Sequence, residues 1–222
     1  MLADTIAIYA RNDLINSFMF NDNQKKYNPK TATGSVGSLI GNINMDELIY
    51  ALRAKLQRGA ILRDNDDNVF APHEIATHAA IITAEKQLGF PLCPLLKRIY
   101  TEVANGGFGP GSGIVGVGNG YTDDWGHNLE DLYEYFSTGN RNRYDASWGW
   151  PRGLLPFCHW GYATYSCVDC NQPGYPVVII DPDYREENDD MEEMLIDHKD
   201  SIIDWFHDWL TGKDLWADAF NH

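Results

Sequence analysis

The chain lacks any apolar run of about 18 residues, the length a membrane-spanning helix needs, so no membrane association is expected. It is poor in cysteine, with four in 222 residues. That is too few for a disulfide scaffold and makes a reducing cytoplasm the expected compartment. The segment Met1 to Ala10 carries Asp4 and has no basic start leading into an apolar stretch, so no secretory leader is expected. Basic residues are also scarce, 17 Lys and Arg against 32 Asp and Glu, for a net charge of −15. Such a surface repels phosphate backbones, which argues against direct nucleic-acid binding.

What is present favours a folded core. Apolar residues make up 44 % of the chain and aromatics 13 %, more than a disordered chain carries. The length suits one large domain, or one domain with an extension. The negative charge is unevenly spread: Asp181 to His222 holds 14 acidic and 3 basic residues, whereas residues 1 to 180 hold 18 and 14. A concentration of this kind attracts a basic partner and speeds its encounter, although solubility alone is the plainer explanation.

Residues 1 to 44 are weakly patterned, and Asn21 to Gly41 reads as a loop or linker. They are expected to form an N-terminal extension to a domain spanning 45 to 222. Asn44 has the look of a helix cap, with Glu47 three residues on, and Met45, Leu48, Ile49, Leu52 and Leu56 follow at helical spacing to Gly59. Asp64 to Asn68 is a polar turn. A second helix is predicted from Pro72 to Leu88, its inward side formed by Ile75, Ala79, Ile82 and Leu88. A third begins at Pro94, with Leu95, Leu96, Ile99 and Val103 inward, and ends at Asn105-Gly106-Gly107. Beyond it, Ile114 to Val117 reads as a short strand and Leu129 to Phe136 as a short helix. Trp148 to Pro156 reads as a loop, and Tyr162 to Val168 and Val177 to Ile180 as strands. Asp183 to Asp190 is an acidic loop. Ile202, Trp205, Phe206, Trp209 and Leu210 form the stripe of a last helix, stopped by Thr211-Gly212. There are no internal repeats.

Three motifs invite chemistry and do not sustain it. The histidines of His73-Glu74-Ile75-Ala76-Thr77-His78 are five apart, roughly 140° around a helix, where a zinc-protease pair needs four. Gly111-Ser112-Gly113-Ile114-Val115-Gly116 matches a dinucleotide fingerprint in letters only, since a helix precedes it and a strand follows. Cys167-Val168-Asp169-Cys170, with Cys158 and His159, has three cysteines and a histidine that could ligate a metal, but Cys158 and His159 are neighbours rather than a spaced pair. Small buried strand residues are the simpler reading. No serine or cysteine nucleophile stands in a recognisable turn. The expectation is a non-enzymatic protein with no cofactor and no metal.

Several segments together resemble the SUKH superfamily, which includes yeast regulators of cell-wall synthesis and bacterial immunity proteins of toxin systems. Leu88-Gly89-Phe90-Pro91-Leu92, followed by Leu95-Leu96 and Tyr100, is similar to its entry helices. Asn105-Gly106-Gly107-Phe108-Gly109-Pro110 is similar to its central turn. Leu155 to Gly161 and Tyr165 to Asp169 resemble the paired segments that follow, and Ser201 to Leu210 with Leu215-Trp216 the closing helix. The resemblance runs from about Met45 to Trp216. Residues 1 to 44 lie outside it, and Ser201-Ile202 stands where the family more often has Ser-Phe. It implies an α+β fold, a mostly antiparallel sheet flanked by helices, with no catalytic residues. It implies a cytoplasmic protein that binds and neutralises a cognate toxin. The alternative is a scaffold or regulatory binding module unrelated to toxins.

A basic toxin surface fits the acidity. Three sets of residues are candidates for meeting it: Glu186, Glu187, Asp189 and Asp190 in the acidic loop; Asp204 and Asp208, in a row with Asp200; and Asp123 and Asp124 beside Tyr121 and Trp125. Aromatic rings next to charge suit an interface, since the ring supplies area and the acid specificity. The plain alternative is that all three are solvated acids.

Overall fold

The computed structural model describes residues 44–58, 62–63, 69–70, 72–139, 149–182 and 194–220, all within one unit spanning 43–222. Helix α1 (Met45–Gln57) starts at the predicted cap. Oδ1 of Asn44 accepts from the Glu47 amide at 3.0 Å, and the Glu47 carboxylate accepts from the Asn44 amide at 3.1 Å. Two orphan amides are thereby satisfied. Leu48, Ile49 and Leu52 are buried on the side that meets the third and fifth helices.

Two short strands, β1 (Leu62–Arg63) and β2 (Val69–Phe70), pair antiparallel. The predicted turn at 64–68 lies outside the described residues. Helix α2 (His78–Leu88) corrects the expectation of a start at Pro72. Thr77 is its cap, taking the Ala80 amide on its hydroxyl at 3.1 Å. The preceding residues instead spend their backbone on the next turn: His73 donates to Gly106, accepts from Asn105, and Ala76 donates to Tyr100. The inward face is also different. Leu88 is buried as expected, but with Ile81 and Ala84, while Ala79 is exposed and Ile75 and Ile82 are each 56 % exposed.

Helix α3 (Pro94–Glu102) buries Leu95, Leu96, Ile99 and Tyr100; Val103 caps it and is half-buried. A five-stranded antiparallel sheet follows, in the order β3 (Gly113–Ile114), β4 (Leu154–Gly161), β5 (Thr164–Asp169), β6 (Val177–Ile180), β7 (Leu195–Lys199). Sequence order and spatial order coincide. Between β3 and β4 lie helix α4 (Leu129–Glu134) and a π turn, Tyr135–Gly139. After β7 come α5 (Ile202–Leu210), capped by the Ser201 hydroxyl, and α6 (Leu215–Phe220).

Strand β6 and helix α5 match expectation closely. The strand β4 does not: Pro156 and a nearby glycine made its first half read as a loop, yet its pairing with β5 bends around an irregularity between Pro156 and Cys158. The predicted strand at 162 begins at Thr164, because Tyr162 and Ala163 form the hairpin turn with positive φ of 52° and 74°.

Alternation along β5 separates the two faces of the sheet. Tyr165 points toward the π turn, its ring 5.5 Å from Phe136. Ser166 points the other way, accepting from the Trp160 indole at 2.9 Å, and Trp160 packs on Trp216 of α6. On that second face Phe157 meets Trp205 of α5 at 5.0 Å. The architecture is thus α+β, an antiparallel sheet with helices on both faces. No helix among the described residues is long and apolar enough to cross a membrane.

Candidate functional site

The site is a loop, residues 117–127, held against the first face of the sheet. Its anchoring begins with Asn105, which is buried. The Asn105 side chain pairs with the Val117 backbone like a strand neighbour, donating to its carbonyl and accepting from its amide, both at 2.9 Å. Tyr121 then donates its amide to the Asn105 carbonyl at 3.0 Å and accepts from Gly116 at 2.7 Å. Tyr100 donates its hydroxyl to Val115 at 2.8 Å. Further along, the Gly118 amide sits between both oxygens of Glu130 at 3.1 and 3.2 Å, and Asn128 donates to the Gly118 carbonyl. Burial raises the pKa of Glu130, against the hydrogen bonds it accepts. Side chains that bond to backbone in this number fix a loop without regular structure.

The neighbouring aspartates of this loop have opposite fates. Asp123 has a side chain with no exposure. Its Oδ1 accepts from the amides of Trp125 at 3.0 Å and His127 at 2.8 Å, and its Oδ2 from the hydroxyl of Tyr165 at 3.0 Å. The imidazole Nδ1 of His127 lies 3.1 Å from the same Oδ2. Asp123 therefore closes the turn and ties it to β5; it presents no charge to a partner. Asp124 points outward with 61 % of its side chain exposed, and Trp125 is 55 % exposed. Tyr121 is half-buried, its ring edge-on to His73 at 5.7 Å.

Beneath Asp124 and Trp125 lies His159 of β4, buried and stacked on Tyr165 with ring centroids 4.7 Å apart. The Trp125 ring is 6.2 Å from it. Nδ1 of His159 faces Oδ2 of Asp124 at 3.7 Å, too long for a hydrogen bond. Among the described residues neither of its ring nitrogens has a hydrogen-bond partner. Burial lowers the His159 pKa, opposed by the charges of Asp124 and Asp123, and raises that of Tyr165, aided by Asp123. His127 completes the cluster by stacking on Tyr135 at 5.5 Å. His127 and Tyr165 carry no signal of a site in the sequence, and His159 stands out there only beside Cys158 in a metal reading, not as the floor of this loop.

The other candidates fare differently. Glu186, Glu187, Asp189 and Asp190 lie outside the described residues. Asp204 is exposed and turned back on its own helix cap, accepting from the Ser201 hydroxyl at 2.6 Å. Asp208 is engaged internally. It bonds Lys199 at 2.6 Å and Lys213 at 3.1 Å, beside Asp218, which binds the same two lysines. Burial would raise the Asp208 pKa, but the lysine bonds outweigh it and hold it low. Asp208 is thus taken up by two lysines of the same chain, whereas Asp204 remains exposed. Cys158 donates to Pro110 at 3.5 Å, and all four thiols are buried. Trp205 is buried as expected of the core, and Trp209 packs near Phe108 with Lys55 over its ring.

No curated protein matches the chain. A family profile matches residues 75–210, beginning after α1, although α1 packs on α3 and α5 within the same core. That profile describes the SMI1 / KNR4 family (SUKH-1), it covers more than half of the 222 residues, and the chain belongs to this family.

Proposed function

We propose that the chain is an immunity-type inhibitor that binds a cognate protein toxin with a basic surface in the cytoplasm, and that it catalyses nothing itself. Membership of the SUKH-1 family supports this reading, since the superfamily includes immunity proteins. The observation that carries it is the exposed pair Asp124 and Trp125 on a loop that buried side chains hold rigid. An interface anchor gains from such rigidity, because little conformational entropy remains to be lost on binding. Trp is among the residues that most often dominate binding energy. The net charge of −15 adds long-range attraction to a basic cleft.

Co-expression with a basic toxin domain encoded beside this gene tests the proposal. Growth should be restored, the two chains should co-purify, and their association should slow as salt rises. Binding without restored growth would instead favour a scaffold or regulatory module.

A further inference from the structure

The buried imidazole under Asp124 and Trp125 says more about what this loop takes. His159 is 1 % exposed, and its Nδ1 aims at Oδ2 of Asp124 from 3.7 Å without reaching it. Among the described residues both its nitrogens lack a hydrogen-bond partner, as do those of His198, and a buried group in that state calls for an explanation. Among the described residues no lysine or arginine pairs with Asp124, whereas Asp208 and Asp218 are each shared by two lysines. Asp124 thus stands without a cationic partner among the described residues, beside an exposed indole and over a buried imidazole.

We infer that Asp124, Trp125 and His159 form a seat for one arginine side chain of the partner. This deepens the toxin-binding reading and rests on it for the source of the arginine. The guanidinium lies against the Trp125 ring and donates to one oxygen of Asp124. The carboxylate, fixed in place, accepts from the Nδ1–H of His159 on its other oxygen, so that the orphan donor is satisfied only in the complex. His159 is a positioning residue that acts through Asp124. Arginine suits the site better than lysine because its planar fork stacks and donates at once, which a compact ammonium does not do.

The test uses the full chain and N-acetyl-arginine methylamide, with the uncharged isostere N-acetyl-citrulline methylamide as control. NMR follows the Trp125 indole N–H and the His159 ring nitrogens. The arginine compound should shift both saturably, and the citrulline compound should bind about tenfold more weakly, the ratio for one lost charge-assisted contact. Asp124→Asn should weaken arginine binding by a similar factor and abolish the His159 response while the melting temperature holds. Equal shifts with citrulline, no saturable shift, or full affinity in Asp124→Asn would each overturn the seat. Growth rescue that survives Asp124→Asn while arginine fails to bind removes the seat and leaves the immunity reading. Arginine binding without rescue by the unaltered chain does the reverse.

Discussion

The hydroxyl of Tyr165 donates to Oδ2 of Asp123 at 3.0 Å, joining the centre of the sheet to the turn that displays Asp124 and Trp125. The bond is buried, and a charged acceptor makes it stronger than a neutral pair. Tyr165→Phe should therefore destabilise the fold by roughly 1.5–3 kcal/mol. Asp124→Asn, one residue further along, should change stability by less than about 0.5 kcal/mol, as an exposed substitution does. Urea unfolding of both variants measures the contrast. Equal effects would mean that the two aspartates do not differ in role.

Gly106 offers a second contrast. Its φ is +83°, and a Cβ there would stand 2.5 Å from the Ile114 carbonyl and 2.8 Å from the Gly116 amide. Gly89 has a similar φ of +77° with open space around it. Gly89→Ala should cost about 1 kcal/mol, the left-handed penalty alone. Gly106→Ala should cost roughly 2–4 kcal/mol, since strain and overpacking add. Chemical denaturation separates the two, and a Gly106 variant as stable as the Gly89 variant would refute the packing argument.

Acid should weaken the fold through His198. This side chain on β7 has no exposure, and burial, with Lys199 nearby, lowers its pKa from 6.5 to about 4. Between those values the unfolded chain binds a proton that the folded chain refuses, so stability is present above pH 6.5 and lost as pH falls toward 4. The loss should approach about 3 kcal/mol by pH 4, the energy that separates an imidazole titrating at 6.5 from one titrating at about 4. His198→Gln should flatten most of this slope in melts taken from pH 7 to pH 4. An unchanged slope would assign the effect to other groups.

The N-terminal boundary is also open to test. A chain beginning at Asn44 should melt close to the full-length protein, because the capping box starts α1 from Asn44 onward. A chain beginning at Met45 should lose about 1 kcal/mol more, the usual worth of a cap. Aggregation or unfolding of the first truncation would show that residues 1–43 belong to the folded unit.

Local chemistry made much of the fold legible. The Asn44–Glu47 box, the stripe from Ile202 to Leu210 and the run Val177 to Ile180 each carry their own signal within a few residues. Where a segment depends on distant partners, that legibility ends. Pro72 looks like a helix start, yet residues 73–76 bond to Tyr100, Asn105 and Gly106, far along the chain. Nothing in Asp123-Asp124 tells which of two identical neighbours turns inward, since Tyr165 decides it from 42 residues away. The same holds for His159, whose place under Trp125 follows from the sheet register and not from its neighbours in sequence.

Growth of cells expressing a basic toxin domain encoded beside this gene, with either the native chain or Asp124→Arg, probes the binding role most directly. Reversing an exposed charge at a complementary interface introduces repulsion and leaves the core alone. The native chain should restore growth, and Asp124→Arg should fail to restore it although its melting temperature is unchanged. Rescue by neither chain, or equal rescue by both, would contradict a toxin inhibitor that meets its partner through Asp124 and Trp125.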